Sequence, residues 1–157
     1  MPGKIDIIVD TREKKPYEIR SKYIGESISQ KLDTGDYSVV GLEDYVTIDR
    51  KMSVNELATN ITTDRFAREL QRMTEIEHSF LLLEFSVDDV IQYPYTSNVP
   101  KRLWSKIRVK GAYLLKKIME IPTKYGVHLL FAGDRDNAEI LAAHILKNAY
   151  EQKNGPL

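Results

Sequence analysis

Two acidic residues placed across a short β-ribbon constrain this chain more than any other feature. Asp36-Tyr37-Ser38-Val39-Val40 and Tyr45-Val46-Thr47-Ile48-Asp49 both alternate and are rich in β-branched and aromatic residues, the pattern of paired strands. Gly41-Leu42-Glu43-Asp44 lies between them as a turn. If Val40 pairs with Tyr45, then Ser38 pairs with Thr47 and Asp36 falls opposite Asp49. Side chains alternate along a strand, so Lys51 shares the face of Asp49. Directly opposed residues have Cβ atoms roughly 4.5–5.5 Å apart, where like charges repel. A divalent cation between the two acids, helped by Lys51, would remove the conflict. Two solvated acids on an exposed face fit the spacing as well, and a slip of one residue would separate the pair. On spacing alone both readings stay open.

Charge narrows the partners less than expected. Lys and Arg together match Asp and Glu at 23 each, so the formal net charge is zero. Bulk charge does not announce a nucleic-acid partner, and any basic surface must be local. There is no cysteine, which excludes a disulfide framework and a thiolate metal site and fits a reducing compartment. Met1-Pro2-Gly3-Lys4 runs into a strand-like segment without the pattern of a signal peptide. No apolar run approaches the length of a membrane span. A chain of 157 residues is most simply one domain with a core of its own. The expectation is a soluble cytoplasmic protein, not secreted and without membrane contact.

Along the chain, Ile5 to Asp10 reads as a buried strand ending in the charged cluster Asp10-Thr11-Arg12-Glu13. Lys14 to Gly25 is polar and loop-like, and Ile28 to Leu32 alternates and feeds the ribbon. Ser53-Val54-Asn55-Glu56 is a capping box opening a helix that buries Val54, Leu57 and Ile61. A second helix from near Asp64 shows Phe66, Leu70 and Met73 at helical spacing. Phe80 to Phe85 reads as an interior strand, and 86–98 as irregular. Pro100 suits the first turn of a helix whose buried face is Leu103, Ile107, Leu114 and Ile118. Val127 to Phe131 is a strand. Asp136 caps a last helix presenting Ile140, Leu141, Ile145 and Ala149, and 151–157 frays. Strands alternating with helices around a ribbon predict an α/β fold with a mixed sheet. His78, His128 and His144 lack ligand spacing, and the glycines are too scattered for a phosphate-cradling loop.

Several fragments follow one another in a familiar order: Asp10-Thr11-Arg12-Glu13, Gly35-Asp36-Tyr37, Arg50-Lys51, Asp64-Arg65-Phe66 with Gln71, and Leu81-Leu82-Leu83-Glu84. They resemble the XPF-type structure-specific endonuclease domain, a member of the restriction-endonuclease-like fold, in its compact single-domain bacterial and phage form. The likeness covers roughly 4–151. It implies a nuclease domain over 1–151, a tail over 152–157, no helix-hairpin-helix module, and a central mixed β-sheet flanked by helices. It further implies a Mg2+- or Mn2+-dependent endodeoxyribonuclease acting on branched or flapped DNA in repair or recombination, without an organic cofactor, as a homodimer.

By the same resemblance Asp36 and Asp49 are metal ligands, with Asp10 close to the metal. Lys51 is the catalytic lysine, Asp36, Asp49, Asp10 and Arg12 complete the catalytic set, Arg12 also contacts DNA, and Arg12 and Glu13 sit at the rim. Arg50 points to the opposite face, as a structural or DNA-backbone residue. Asp49 stands where the family has glutamate. The family's trailing acid falls at Asn55 or Glu56; the capping box gives Glu56 a structural task, and both are kept apart from the metal. A catalytically degenerate subunit, serving as a DNA-binding or dimerisation scaffold, is the alternative. Asp49 favours it, and the retention of Asp36, Lys51, Asp10 and Arg12 opposes it.

DNA contacts are expected from local basic residues. Arg65, Arg68 and Arg72 recur at helical spacing and form either a strip for phosphates or a solvated face paired with Glu69 and Glu75. Lys101, Arg102, Lys106, Arg108 and Lys110 form the densest basic cluster, as a second DNA contact or as snorkelling surface lysines. Trp104 inside it reads as a packing anchor. Tyr37 should face away from the metal, and Glu84 should pair with a cation.

Overall fold

The computed structural model describes residues 3–157; Met1 and Pro2, part of the segment read as lacking a signal peptide, lie outside them. A mixed six-stranded sheet runs through the molecule in the order β2-β1-β3-β4-β5-β6. Its strands are β1 (Ile5–Val9), β2 (Ile24–Ser29), β3 (Tyr37–Val39), β4 (Val46–Lys51), β5 (His78–Leu83) and β6 (His128–Phe131). β1 lies parallel to β2 and antiparallel to β3, β3 is antiparallel to β4, and β4, β5 and β6 are mutually parallel neighbours. The helices are α1 (Val54–Asn60), α2 (Asp64–Met73), α3 (Val87–Ile91), α4 (Gly111–Tyr125) and α5 (Arg135–Asn154). This is the helix-flanked mixed sheet the sequence predicts. No helix of the described residues is long and apolar enough to cross a membrane.

The two sheet faces carry separate cores, and strand alternation assigns each residue to one of them. Ile7, Val9, Tyr37, Val39, Val46, Ile48 and Leu82 pack with Ala138, Ala142 and Leu146 of α5. Leu81 and Leu83 face the other way, into Leu57, Phe66, Leu70, Met73, Leu114 and Ile118 from α1, α2 and α4. The ribbon keeps the predicted register. Tyr37 pairs with Ile48, which extends to Asp36 opposite Asp49.

Elsewhere the structure redraws boundaries. The strand before the ribbon begins at Ile24 rather than Ile28 and pairs with β1. The segment read as irregular holds α3, opened by Ser86 and Asp89 in a reciprocal cap. The single helix expected after Pro100 is two elements: a 3-10 turn over Lys101–Lys106 and then α4. They are separated where Ile107 turns extended. Gly111 starts α4 flush against α3, where a Cβ would collide with the carbonyl oxygens of Ile91 and Val90. The cap of α5 is Asp134, which accepts from the Asn137 N–H, and not Asp136. α5 continues to Asn154, into the stretch read as a tail.

Gly35 sets the approach of the chain to Asp36. Its φ is +82°, and a Cβ there would strike Thr47 Oγ1 and meet the Ile48 carbonyl at 3.2 Å. Gly41 has a similar φ of +83° but open space around it. Gly35→Ala should therefore cost about 1–3 kcal/mol of stability, which lowers the melting temperature by about 2–4 °C per kcal/mol in a chain of this size. Gly41→Ala carries only the backbone part of that cost. Equal melting temperatures for the two variants would remove the steric argument.

Candidate functional site

The register puts three aspartates in a row across three adjacent strands. Val9 pairs with Tyr37 and Tyr37 with Ile48, so one step further Asp10 stands beside Asp36, and Asp36 beside Asp49. The Asp10 N–H donates to the Asp36 carbonyl at 2.8 Å, and the Asp36 N–H to the Ile48 carbonyl at 2.7 Å. All three lie on the face opposite the α5 core. Lys51, two residues beyond Asp49, is on the same face and is buried.

The members of the row differ in what neutralises them. Asp10 is fully engaged: Oδ2 accepts from Arg12 Nε at 2.8 Å and from the Arg12 N–H, while Oδ1 accepts from the Leu32 N–H at 2.8 Å. Burial pushes its carboxyl up, but these bonds outweigh burial and hold it below its ordinary value. Asp10, expected as a metal ligand, thus already uses both oxygens in bonds to Arg12 and the Leu32 N–H. It ties the end of β1 to the chain entering the ribbon, and Arg12, whose guanidinium also donates to the Leu32 carbonyl at 2.8 Å, is its clamp. Asp36 accepts one bond, from the Arg50 N–H at 2.8 Å. Asp49 is 3% exposed; Lys51 Nζ lies 3.2 Å from its Oδ2, off hydrogen-bonding geometry, so that buried oxygen has no hydrogen-bond partner.

The expectation for Arg50 is corrected. It faces the α5 side, is 4% exposed, and cannot reach a DNA backbone. Its guanidinium pairs with Glu84 at 2.7 Å and Glu13 at 3.0 Å, donates to the Lys15 carbonyl at 2.6 Å, and sits 4.2 Å over the Tyr17 ring. Tyr17 stacks on Tyr37, and their hydroxyls donate to Glu84 and Glu13. Glu84 thus has the cationic partner expected of it, and Tyr37 packs away from the acids. This network fastens the loop after β1 behind the ribbon. Arg50→Met should destabilise the fold by about 3–5 kcal/mol, because it strands two buried carboxylates. A denaturant midpoint within error of the parent would exclude that role.

On the acidic face lies an open cleft of about 280 Å³, lined by Asp36, Asp49, Lys51, Glu69, Arg65 and Arg72 among others. α2 forms one wall. Its Thr63 cap and the burial of Phe66, Leu70 and Met73 fix which side meets the sheet. Lys51 sits 5.1 Å over the Phe66 ring, which aims its ammonium into the cleft. Glu69, expected only as a partner for arginines on a solvated face, turns inward here. It is three residues after Phe66 and four before Met73, a spacing that already places it at the margin of the buried stripe.

Charge is concentrated in this cleft. Burial, opposed by the Arg50 N–H and reinforced by Glu13, pushes the Asp36 carboxyl up to about 7. Asp49 rises to about 6, through burial and then the charge of Asp36. Glu69 rises to about 8, through burial and then the charge of Asp49, whose carboxyl lies within hydrogen-bonding reach. Burial would lower the Lys51 ammonium, but Asp49 and Glu69 outweigh it and keep it above its ordinary value. One lysine is thus set against three carboxyl groups.

The other predicted basic residues are dispersed. Arg65 and Arg72 line the cleft, and Arg68 does not. Lys101, Arg102 and Lys106 are exposed on the 3-10 turn. Lys106 borders a separate cavity of about 650 Å³, which meets the acidic cleft at Met52. Trp104 is an anchor, with Nε1 donating to the Val99 carbonyl at 3.0 Å and its ring edge-on to Tyr95. Asn55, at the trailing acid's position, accepts from the Tyr93 hydroxyl at 2.6 Å. Ser53 caps α1 by accepting from the Glu56 N–H, while Glu56 Oε2 accepts from the Met52 N–H at 3.1 Å rather than from the Ser53 N–H that the capping box would use. The histidines do not gather.

An orphaned buried carboxylate oxygen facing another acid is chemistry suited to a hard cation. Among the described residues no group of three or more His, Cys, Asp or Glu side chains is placed to hold a metal ion. Mg2+ does not need one, since it keeps several waters and is held by one or two carboxylates with substrate phosphates. The donor set of Asp36 and Asp49 fits such an ion.

With the geometry described, comparison places the chain among known proteins. The family model described as ERCC4 domain matches residues 9–144. The fold is similar to that of XPF from Aeropyrum pernix, at 19% identity and a TM-score of 0.68, covering 95% of this chain and 65% of that one. It is similar also to the same protein's complex with DNA, at 18% identity and a TM-score of 0.67, with 95% and 66% covered. The chain thus spans just under two thirds of the length of those relatives. No curated protein matches it. The structural likeness bears on the fold, a mixed sheet of the restriction-endonuclease-like type.

Proposed function

This chain belongs to the ERCC4 domain family, the XPF-type nucleases, and from that premise we propose that it is a Mg2+- or Mn2+-dependent endonuclease that hydrolyses phosphodiester bonds in branched or flapped DNA. The observation that carries the reading is Asp49 Oδ2, buried without a hydrogen-bond donor in a row opposite Asp36. Asp36 and Asp49 would hold the ion. When bound, such an ion lowers the pKa of its water and stabilises charge on the phosphorane and the leaving oxygen.

The chain's own residues do the rest. Lys51 holds a permanent positive charge 3.2 Å from Asp49, where it offsets negative charge growing on the phosphate. Arg65 and Arg72, exposed on the α2 wall of the cleft, engage backbone phosphates on either side of the scissile bond. Lys101, Arg102 and Lys106 offer a second contact along the strand. Asp10, Arg12 and Arg50 keep the ribbon and its entry fixed. XPF from Aeropyrum pernix is known in complex with DNA, which supports the choice of substrate here. A homodimer remains part of the proposal, and a monomer by light scattering at micromolar concentration would remove it.

The test is nicking of labelled flap, fork and plain duplex DNA with Mg2+ or Mn2+ and with EDTA. The proposal expects metal-dependent cleavage that favours the branched substrates. Binding without cleavage, with Asp49→Glu gaining activity, would instead favour the degenerate subunit. Asp49 in the glutamate position and Asn55 bonded to Tyr93 are the observations on that side.

A further inference from the structure

We infer that the cavity beside the acidic cleft receives an unpaired nucleobase of the DNA strand being cut; this rests on the reading of the cleft as a phosphodiester site. The cavity, of about 650 Å³, lies between the start of α1, the chain after β5 and the 3-10 turn. It joins the cleft at Met52, which lines both spaces and directly follows Lys51 in the chain. Neighbouring Cα atoms are about 3.8 Å apart, close to the step of about 3.4 Å per nucleotide along one strand. A strand with a phosphate at Lys51 thus brings an adjoining nucleotide to the mouth of this cavity.

The two spaces differ in what they can hold. The cleft is lined mainly by charged side chains, whereas Val54, Phe85, Val99, Leu103 and Ile107 wall the cavity. Such walls suit a flat ring and not a phosphate. Hydrogen-bonding groups stand among them. The Tyr93 hydroxyl donates to Asn55 Oδ1 at 2.6 Å, which orients an amide whose Nδ2 keeps two donors, and Asn98 adds a second amide. Side-chain amides of this kind pair with base edges. Lys106 stands at the rim, with Lys101 and Arg102 exposed on the same turn. That charge favours a phosphate-linked occupant over a neutral peptide. Met52, 51% exposed, is an apolar side chain left in water where the two spaces meet, and a base in the cavity would cover it. A base enters only by leaving its stack, which is costly in a duplex and cheapest where the base is already unpaired. The cavity thereby makes a preference for branched DNA a property of this chain's own residues.

Fluorescence anisotropy of labelled flap DNA with the full chain, in EDTA and again with Ca2+, reads binding apart from cleavage. In a series of flaps, each unpaired base near the branch is replaced in turn by an abasic sugar. The parent should lose about fivefold or more in affinity at one abasic position and little at the others. Met52→Ser, a change at an exposed position, should weaken binding of the intact flap but not of that abasic flap, so that the two losses do not add. Lys106→Met should weaken both flaps alike and lower the salt slope by about one. A parent that binds the flap but is indifferent to every abasic position overturns the base site and leaves the cavity to another occupant, such as a peptide. A Met52→Ser protein that loses equally on intact and abasic flaps overturns the placement of the base against Met52. A parent that binds no DNA in either buffer overturns the nuclease reading beneath the proposal.

Discussion

Lys51→Met is expected to lower metal-dependent nicking by at least about 10²–10³-fold, the cost of removing one group aimed at developing charge, while leaving the affinity for branched DNA near that of the parent. Methionine keeps the length and apolar body of the side chain, so the packing on Phe66 survives and only the charge is lost. That charge has one nearby use. Lys51 is buried, pairs with Asp49 at 3.2 Å and opens on the cleft, where a phosphate would sit. Arg65→Ala acts on the other axis. It should weaken binding across sequences and shallow the salt dependence by about one phosphate contact, with the rate at saturating DNA much less affected. A Lys51→Met enzyme that nicks at the parental rate would show that the ammonium is only a structural counter-charge for Asp49.

The contrast between these two residues reflects how each was legible. Lys51 could be assigned to the face of Asp49 because β-structure has period two; the turn left the register to Asp36 open, and the pairing of Tyr37 with Ile48 sets it. The alternation that aimed Asp36, Asp49 and Lys51 together also sent Tyr37 and Arg50 to the other face. What alternation could not tell is what meets each side chain across the chain. Asp10 has the right face and the right row. What its own strand does not show is that Arg12 and the Leu32 N–H, 22 residues away, already bond both of its oxygens. Arg50 looked available to DNA because nothing in its own strand announces Glu13, Lys15 and Glu84 closing around it.

The helical half was less readable, for local reasons. Leu103, Ile107, Leu114 and Ile118 keep a helical spacing across a break. Ile107, Leu114 and Ile118 pack on the α2/α4 core, whereas the 3-10 turn buries none of its residues and Leu103 is only half-buried, so the period ran on past the point where the core stops. α3 is only five residues long, too short for periodicity to register, although the Ser86 and Asp89 pair was present as a start signal. Glu69 was legible in principle from its spacing to Phe66 and Met73. A neighbouring arginine at each side made the solvated reading cheaper, and only its turn toward the cleft reveals the difference.

Metal-free protein should lose stability as pH rises from about 5 to 8, and Mn2+ should cancel that loss. The sign follows from the carboxyl groups of the cleft. Asp36, Asp49 and Glu69 titrate near 7, 6 and 8 in the folded chain and at ordinary carboxylate values, about 4, once unfolded. Between those limits the folded state holds protons that the unfolded state has released. Stability therefore falls with pH across the window and levels off above it. A three-unit rise at one such group alone corresponds to about 4 kcal/mol. Because the groups share their repulsion, a total on the order of 3 kcal/mol is the sounder expectation, or about 6–12 °C in melting temperature. A divalent ion needs these groups deprotonated, so protons compete with it at pH 5 and no longer do at pH 8. The metal-induced gain in melting temperature should then grow with pH. Asp36→Asn should flatten the metal-free profile, raise stability at pH 8 and abolish most of the Mn2+ effect, three changes that a residue merely supporting the fold would not produce together. Melting curves at several pH values, with EDTA and with Mn2+, decide it. A metal-free profile that rises toward pH 8, or a Mn2+ gain that is largest at pH 5, would contradict the arrangement of charge in the cleft.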